Sequence, residues 1–212
     1  MLKRRLGSVF VFVGAVLLAA ALLLFLYNKQ EDARAGEAAS AAMSEIQNAI
    51  SEYYPEKLDL SETPDGTDAT EETVTEPTEL TVVNIDGYDY IGYLSIPYFD
   101  LELPIMDTWS EDRLCRAPCL QFGSPLTDDA VIAGHNYKKH FLALHSIEEG
   151  EYLTFTTMTG YVIEYGVAEV RIIDPTNVSA VTDSDFDLIL YTCTSGGQAR
   201  VIVCCNRLED ME

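Results

Sequence analysis

Three of the five cysteines in this 212-residue chain fall within "LILYTCTSGGQARVIVCCNR", residues 188–207. Cys193 ends an apolar run, and the glycine-containing connection "TSGGQ" leads to Arg200, which opens the next run. If the two runs pair as a hairpin, the thiol and the guanidinium meet at one end of it. A thiolate can attack a carbonyl carbon, and an arginine, always protonated and rich in donors, can hold the oxyanion that forms. His135 is a third group of this kind. It follows the apolar run "AVIAG" in "VIAGHNY", at a strand end where a rigid scaffold can hold a general acid–base at a loop mouth. Each has a plainer reading by itself: a buried cysteine packs as a small hydrophobe, and a histidine after a strand often serves only as a hydrogen-bonding group.

The remaining cysteines and histidines fit other chemistries poorly. Cys204 and Cys205 are neighbours inside "VIVCCN", so they point to opposite faces of a strand, and strand geometry disfavours a bond between them. Both read as structural. Cys115 and Cys119 form a C-x3-C pair that can be a local disulfide or simply pack. With no matching His or Cys pair elsewhere, no metal site is expected. His135, His140 and His145 are five residues apart, which does not align them on one helical face as an H-E-x-x-H zinc site requires.

The elements that must position these groups are short and β-rich. "YDYIGYLSIPYFDLELPIM" (88–106) holds two such runs around a proline. "AVIAG", "YLTFTT", "YVIEYGVAEVRII", "FDLILYTC" and "ARVIVCCN" follow, separated by Gly150, Gly160, Asp174-Pro175 and Gly196-Gly197. This spacing predicts a β-barrel or sandwich, with one short helix around Lys138–Leu144. Residues 51–80, Thr- and Pro-containing and rich in acid, read as an extended spacer. Residues 31–50 are rich in Ala and Glu, with Met43, Ile46 and Ile50 at helical spacing, and predict a short amphipathic helix.

At the amino end no charge occurs from Leu6 to Asn28, and Val9–Tyr27 is almost wholly apolar. A helix over that stretch is about 28 Å long, enough to cross a hydrocarbon core. It is longer than a cleaved signal peptide usually needs. Lys3, Arg4 and Arg5 before it put the amino end on the cytoplasmic side and the rest of the chain outside. The expected organisation is a cytoplasmic tip and transmembrane anchor over 1–30, a helical stalk and acidic linker over 31–84, and a catalytic domain over 85–212. The formal net charge of −22 argues against a nucleic-acid partner.

Taken together, a strand-end Cys, a strand-end His and a nearby Arg in an extracytoplasmic β-domain resemble the sortases, cysteine transpeptidases of Gram-positive surfaces. The family's nucleophile motif is Thr-Leu-x-Thr-Cys with an Arg opening the next strand. Here it reads Ile189-Leu190-Tyr191-Thr192-Cys193, then Arg200. "AGHNY" resembles the histidine motif, and "IGYLSIP…LPI" the opening strands. The resemblance spans residues 88–207 and departs from the family at Ile189, where Thr is usual. It implies an all-β fold, a closed eight-stranded barrel. It also implies catalysis by Cys193, His135 and Arg200, a substrate-groove role for Thr192, and no cofactor. The implied substrates are surface proteins bearing a Leu-Pro-x-Thr-Gly-like sorting signal; the implied acceptor is a cell-wall precursor amine or a pilin lysine. Residues 51–87 lack the Asp-Pro-aromatic triplet of pilus-building members, and 174–186 is too short for the helical insertion of the class B type, which favours anchoring to the cell wall.

Overall fold

The computed structural model describes residues 2–53 and 77–208. Its strands are β1 (Val83–Ile85), β2 (Tyr88–Ile96), β3 (Leu101–Met106), β4 (Cys119–Phe122), β5 (Ala130–Ala133), β6 (Tyr152–Thr157), β7 (Val162–Ile173), β8 (Leu188–Cys193) and β9 (Arg200–Arg207). They pair in the order β1-β2-β3-β4-β5-β8-β9-β7-β6, and β2 also pairs with β6. That last pairing closes a ring of eight strands, with β1 attached as one arm of a hairpin with β2. The expected closed barrel is therefore present.

Two strands, β1 and β4, have no counterpart among the runs read from sequence. Both are short, and β4 joins β3 through a single residue pair, Met106 with Cys119. The helix expected around Lys138–Leu144 is a 3-10 helix over Phe141–Ser146, displaced toward the two residues that anchor it, Phe141 and Leu144.

Alternation along the strands separates an inner face from an outer one. Leu94, Leu103, Phe155, Tyr165, Leu190 and Cys205 belong to the packed interior. Val131, Ile189, Ile202 and Cys204 form a second cluster with Val181 and Phe186 packed against it. Those last two come from the β7–β8 connection, which holds a single helical turn, α3 (Ser179–Thr182). Cys204 and Cys205 thus point to opposite faces as expected, yet both are buried, because the connection covers the outward-pointing sulfur. The strands approach closely at Gly92, where β2 lies between β3 and β6. Its φ is +149°, and a Cβ there would come within 2.0 Å of the Thr156 carbonyl oxygen, so only glycine fits.

The chain begins with one continuous helix, α1 (Leu2–Tyr53), which incorporates the predicted amphipathic segment. Residues up to Arg34 make one compact unit, and residues from Ala35 onward belong to the second unit with the barrel. In the first unit the large apolar side chains from Phe10 to Tyr27 are exposed. Among the described residues, α1 is the one helix long and apolar enough to cross a membrane. In the second unit Ala35, Ala39, Ala42, Met43 and Ile46 are buried along one stripe. Ala42 and Ile46 pack with Ile85, Tyr90, Met106, Ala117, Cys119 and Ala133 on the barrel wall. Gln47 Nε2 donates to Glu102 Oε2 at 2.9 Å. This end of the helix is thus part of the domain's hydrophobic structure. Of the acidic spacer expected over 51–80, residues 54–76 lie outside the described residues.

Ile46 is fully buried in that contact, whereas Leu23 is 68% exposed. Ile46→Ala should lower the unfolding free energy of the full chain in detergent by about 2–4 kcal/mol. Leu23→Ala should change it by less than about 0.5 kcal/mol. Guanidinium denaturation followed by tryptophan fluorescence measures both.

Candidate active site

Strand register brings the chemical groups to one end of the barrel. β5 and β8 run parallel, with Ala130 opposite Leu188 and Ala133 opposite Tyr191. The Gly134 N–H still donates to the Tyr191 carbonyl at 3.1 Å, and His135 follows directly. On the other side of β8, antiparallel β9 sets Arg200 opposite Cys193. His135, Cys193 and Arg200 therefore sit at the same end of three adjacent strands. Cys193 and Arg200 also share a face. Ile189 and Tyr191 precede Cys193 at two-residue intervals, and Ile202 and Cys204 follow Arg200. All of these pack in the outer clusters.

The hairpin that joins Cys193 to Arg200 is closed by its own polar groups. Thr194 N–H donates to the Ala199 carbonyl at 3.0 Å, and Ala199 N–H donates to Thr194 Oγ1 at 3.0 Å. Gly196 and Gly197 take φ of +91° and +73°, left-handed values that favour glycine. Arg200 Nη1 donates to the carbonyls of Gly197 and Ala199 at 3.2 and 3.1 Å, which fixes its head near the strand end. Beside it, Gln121, Tyr191, Ile173, Val178 and Val181 help line a cavity of about 200 Å³ on the outer face. The Tyr191 hydroxyl donates to Gln121 Oε1. Burial holds the Tyr191 phenol above its ordinary range, and the Arg200 charge works against that shift.

Thr192 does not share this face. It follows Leu188 and Leu190 toward the barrel interior and is 1% exposed, so its hydroxyl is not part of the groove surface. Ile189 is also buried, but in the outer cluster, with its side chain against the cover formed by the β7–β8 connection.

Two further groups belong to the site and carried no local sequence signal. The helical turn α2 (Glu111–Leu114) is capped by Ser110, whose Oγ accepts from the Arg113 N–H at 3.2 Å. Arg113 pairs with Asp107, and with Asp89 at 3.7 Å, pinning the segment to the barrel. Cys115, just past this turn, brings its Sγ to 3.8 Å from His135 Nε2. Burial pushes the His135 pKa below the ordinary imidazole value, and the Glu111 carboxylate opposes the shift. The Cys115–Cys119 pair is not a disulfide: both are thiols, one exposed and one buried. Burial pushes the Cys119 thiol up to about 12.

A family model for the sortase domain matches residues 94–208, more than half of the chain. The chain belongs to the sortase family. Sortases are cysteine transpeptidases, and the solved structures agree with that assignment. The sortase C of Streptococcus pneumoniae is 26% identical, with a TM-score of 0.52 over 57% of this chain and 69% of that one. Sortase A of Corynebacterium diphtheriae shares the fold at 23% identity, with a TM-score of 0.53 over 59% of this chain and 64% of that one. Clostridium perfringens sortase C, solved with the C-terminal cell wall sorting motif, is 22% identical with a TM-score of 0.51 over 57% and 71%. No curated protein sequence matches the chain.

Two measurements test this geometry. A mild alkylator should modify Cys115 and Cys193, the exposed and half-buried thiols, and leave Cys119, Cys204 and Cys205 untouched until the barrel unfolds, as read by peptide mass mapping. Glu111→Gln removes the carboxylate that raises the His135 pKa, so that pKa should fall further. The limb of the pH–rate profile that carries His135 character should then move to lower pH; an unmoved or upward limb would contradict the site.

Proposed function

We propose that this sortase uses Cys193 as nucleophile, His135 as general acid and base, and Arg200 as oxyanion and peptide ligand, to cut a Leu-Pro-x-Thr-Gly-like sorting signal and join it to an amine. The observation that supports the reading is that β5, β8 and β9 are adjacent and end together, with an imidazole just past β5, a thiol at the end of β8 and a guanidinium at the start of β9. The Cys193 thiol gives its proton to the His135 imidazole as Sγ bonds to the threonine carbonyl carbon, and the carbonyl electron pair becomes an oxyanion held by Arg200. The Thr–Gly bond then breaks, the departing amine takes a proton from His135, and a thioester remains. An incoming amine attacks the thioester and gives a proton back to His135. Its collapse frees the Cys193 sulfur. The partly apolar groove beside Arg200 suits the Leu-Pro portion of such a peptide. The related clostridial enzyme solved with a sorting motif supports this substrate class.

In this reading α1 is a single-pass anchor with its basic tip, Lys3, Arg4 and Arg5, in the cytoplasm and the catalytic domain outside the cell. The substrates are surface proteins that carry the sorting signal, and the acceptor is a cell-wall precursor amine rather than a pilin lysine. Thr192 enters only as support behind the groove, since its side chain faces the barrel interior.

A panel of Leu-Pro-x-Thr-Gly peptides with different x residues, offered with several amines, measures transfer by mass spectrometry. Cys193→Ala should reduce turnover by at least about 10³-fold. His135→Ala should cost about 10²–10⁴-fold, and Arg200→Ala about 10²–10³-fold, with the fold kept. Turnover of no peptide in the panel, or activity that survives Cys193→Ala, would leave the domain as a silent binding module.

A further inference from the structure

The loop after β5 carries a second histidine to the nucleophile strand. His145 Nε2 lies 3.0 Å from the carbonyl oxygen of Cys193. A carbonyl has no proton to give, so the ring must hold its hydrogen on Nε2 and donate it. The place of this bond in the ladder explains its presence. Carbonyls two residues apart on a strand point to the same side, so the carbonyls of Tyr191 and Cys193 both face β5. Tyr191 is satisfied by the Gly134 N–H. For Cys193 the ladder has run out, because β5 ends at Ala133 and the chain turns away through His135. His145 supplies the missing donor from the far end of that same excursion.

The excursion itself is tightly built. Phe141 N–H donates to the His135 carbonyl at 3.0 Å. Phe141 and Leu144 are fully buried, and the Phe141 ring occupies the space where a Cβ on Gly134 would stand, 2.5 Å from its nearest ring carbon. His135 and His145 are thus the two ends of one packed unit. One end offers an imidazole to the site, and the other ties the site's cysteine to it through the backbone.

We propose that His145 is a positioning residue of this sortase: its hydrogen bond to the Cys193 carbonyl fixes the end of β8 against the histidine loop, and so sets the thiol relative to His135. The inference rests on Cys193 being the nucleophile. His145 is exposed, so its replacement should not threaten the fold. With the peptide and amine from the panel that the full-length wild-type enzyme in detergent turns over fastest, His145→Ala should lower kcat by about tenfold to a hundredfold, the scale of a small misplacement of a reacting group. KM should stay within about twofold, because the peptide groove is untouched. His145→Gln, which can present an amide N–H at nearly the position of Nε2, should recover kcat to within about threefold of wild type. Thermal unfolding of both variants should match wild type to within a few degrees, roughly the span of a surface substitution. An unchanged kcat in His145→Ala, a loss confined to KM, or an equal kcat loss in His145→Gln would each overturn the assignment. Cys193→Ala, run in parallel, separates the two claims. If that variant is dead and His145→Ala is normal, only the positioning role falls. If Cys193→Ala stays active, the reading of the site falls and the positioning role falls with it.

Discussion

Everything in the site depends on backbone hydrogen bonding among three strands. The parallel ladder of β5 with β8 and the antiparallel ladder of β8 with β9 set which residues stand side by side. A slip of one residue in either ladder would turn one of the three groups to the opposite face of the wall. Register is held by what lies on the two faces. Leu188 and Leu190 face the packed interior, and Ile189 faces the cluster under the β7–β8 connection, so a shifted β8 would expose or misplace all of them. The placement of the candidate site groups and the hydrophobic core are therefore specified by the same pairing.

Ladder ends are also where reactive groups can be accessible without being loose. Inside a strand both neighbours occupy the backbone and the side chains are crowded, as the buried Cys204 and Cys205 illustrate. At its end a side chain gains access to solvent while its backbone stays bonded on at least one side. Cys193 and Arg200 use this through a closed glycine turn, and His135 through a loop anchored by Phe141. The same excursion returns His145 to the carbonyl that the ended ladder leaves over.

Around this centre the outer wall is covered rather than bare. The β7–β8 connection shields one apolar cluster, and the far part of α1, with the segment around α2, shields another. Both covers border the candidate site. The first borders the groove beside Arg200, and the second brings Glu111 and Cys115 up to His135. Burial beneath the second lowers the affinity of His135 for a proton, and the carboxylate tempers that effect. α1 is therefore more than an apolar span: around Ala42 and Ile46 it completes the wall that ends at the histidine.

The sequence by itself determined the strands that alternate strongly, the family and the long apolar run at the amino end, and it singled out Cys193, His135 and Arg200 as candidates. Those features are local: strand periodicity, a run of apolar residues, and motifs read over a few positions. It could not supply β4, a four-residue strand whose pairing with β3 is a single register pair, Met106 with Cys119. Nor could it separate Thr192 from the groove, since adjacent strand residues differ only in which face the closed barrel makes interior. The nearness of Cys115 and Glu111 to His135, and of His145 to Cys193, was likewise decided by tertiary structure alone. These contacts join residues 20 to 48 positions apart, and nothing in local propensity encodes a meeting that only barrel closure brings about.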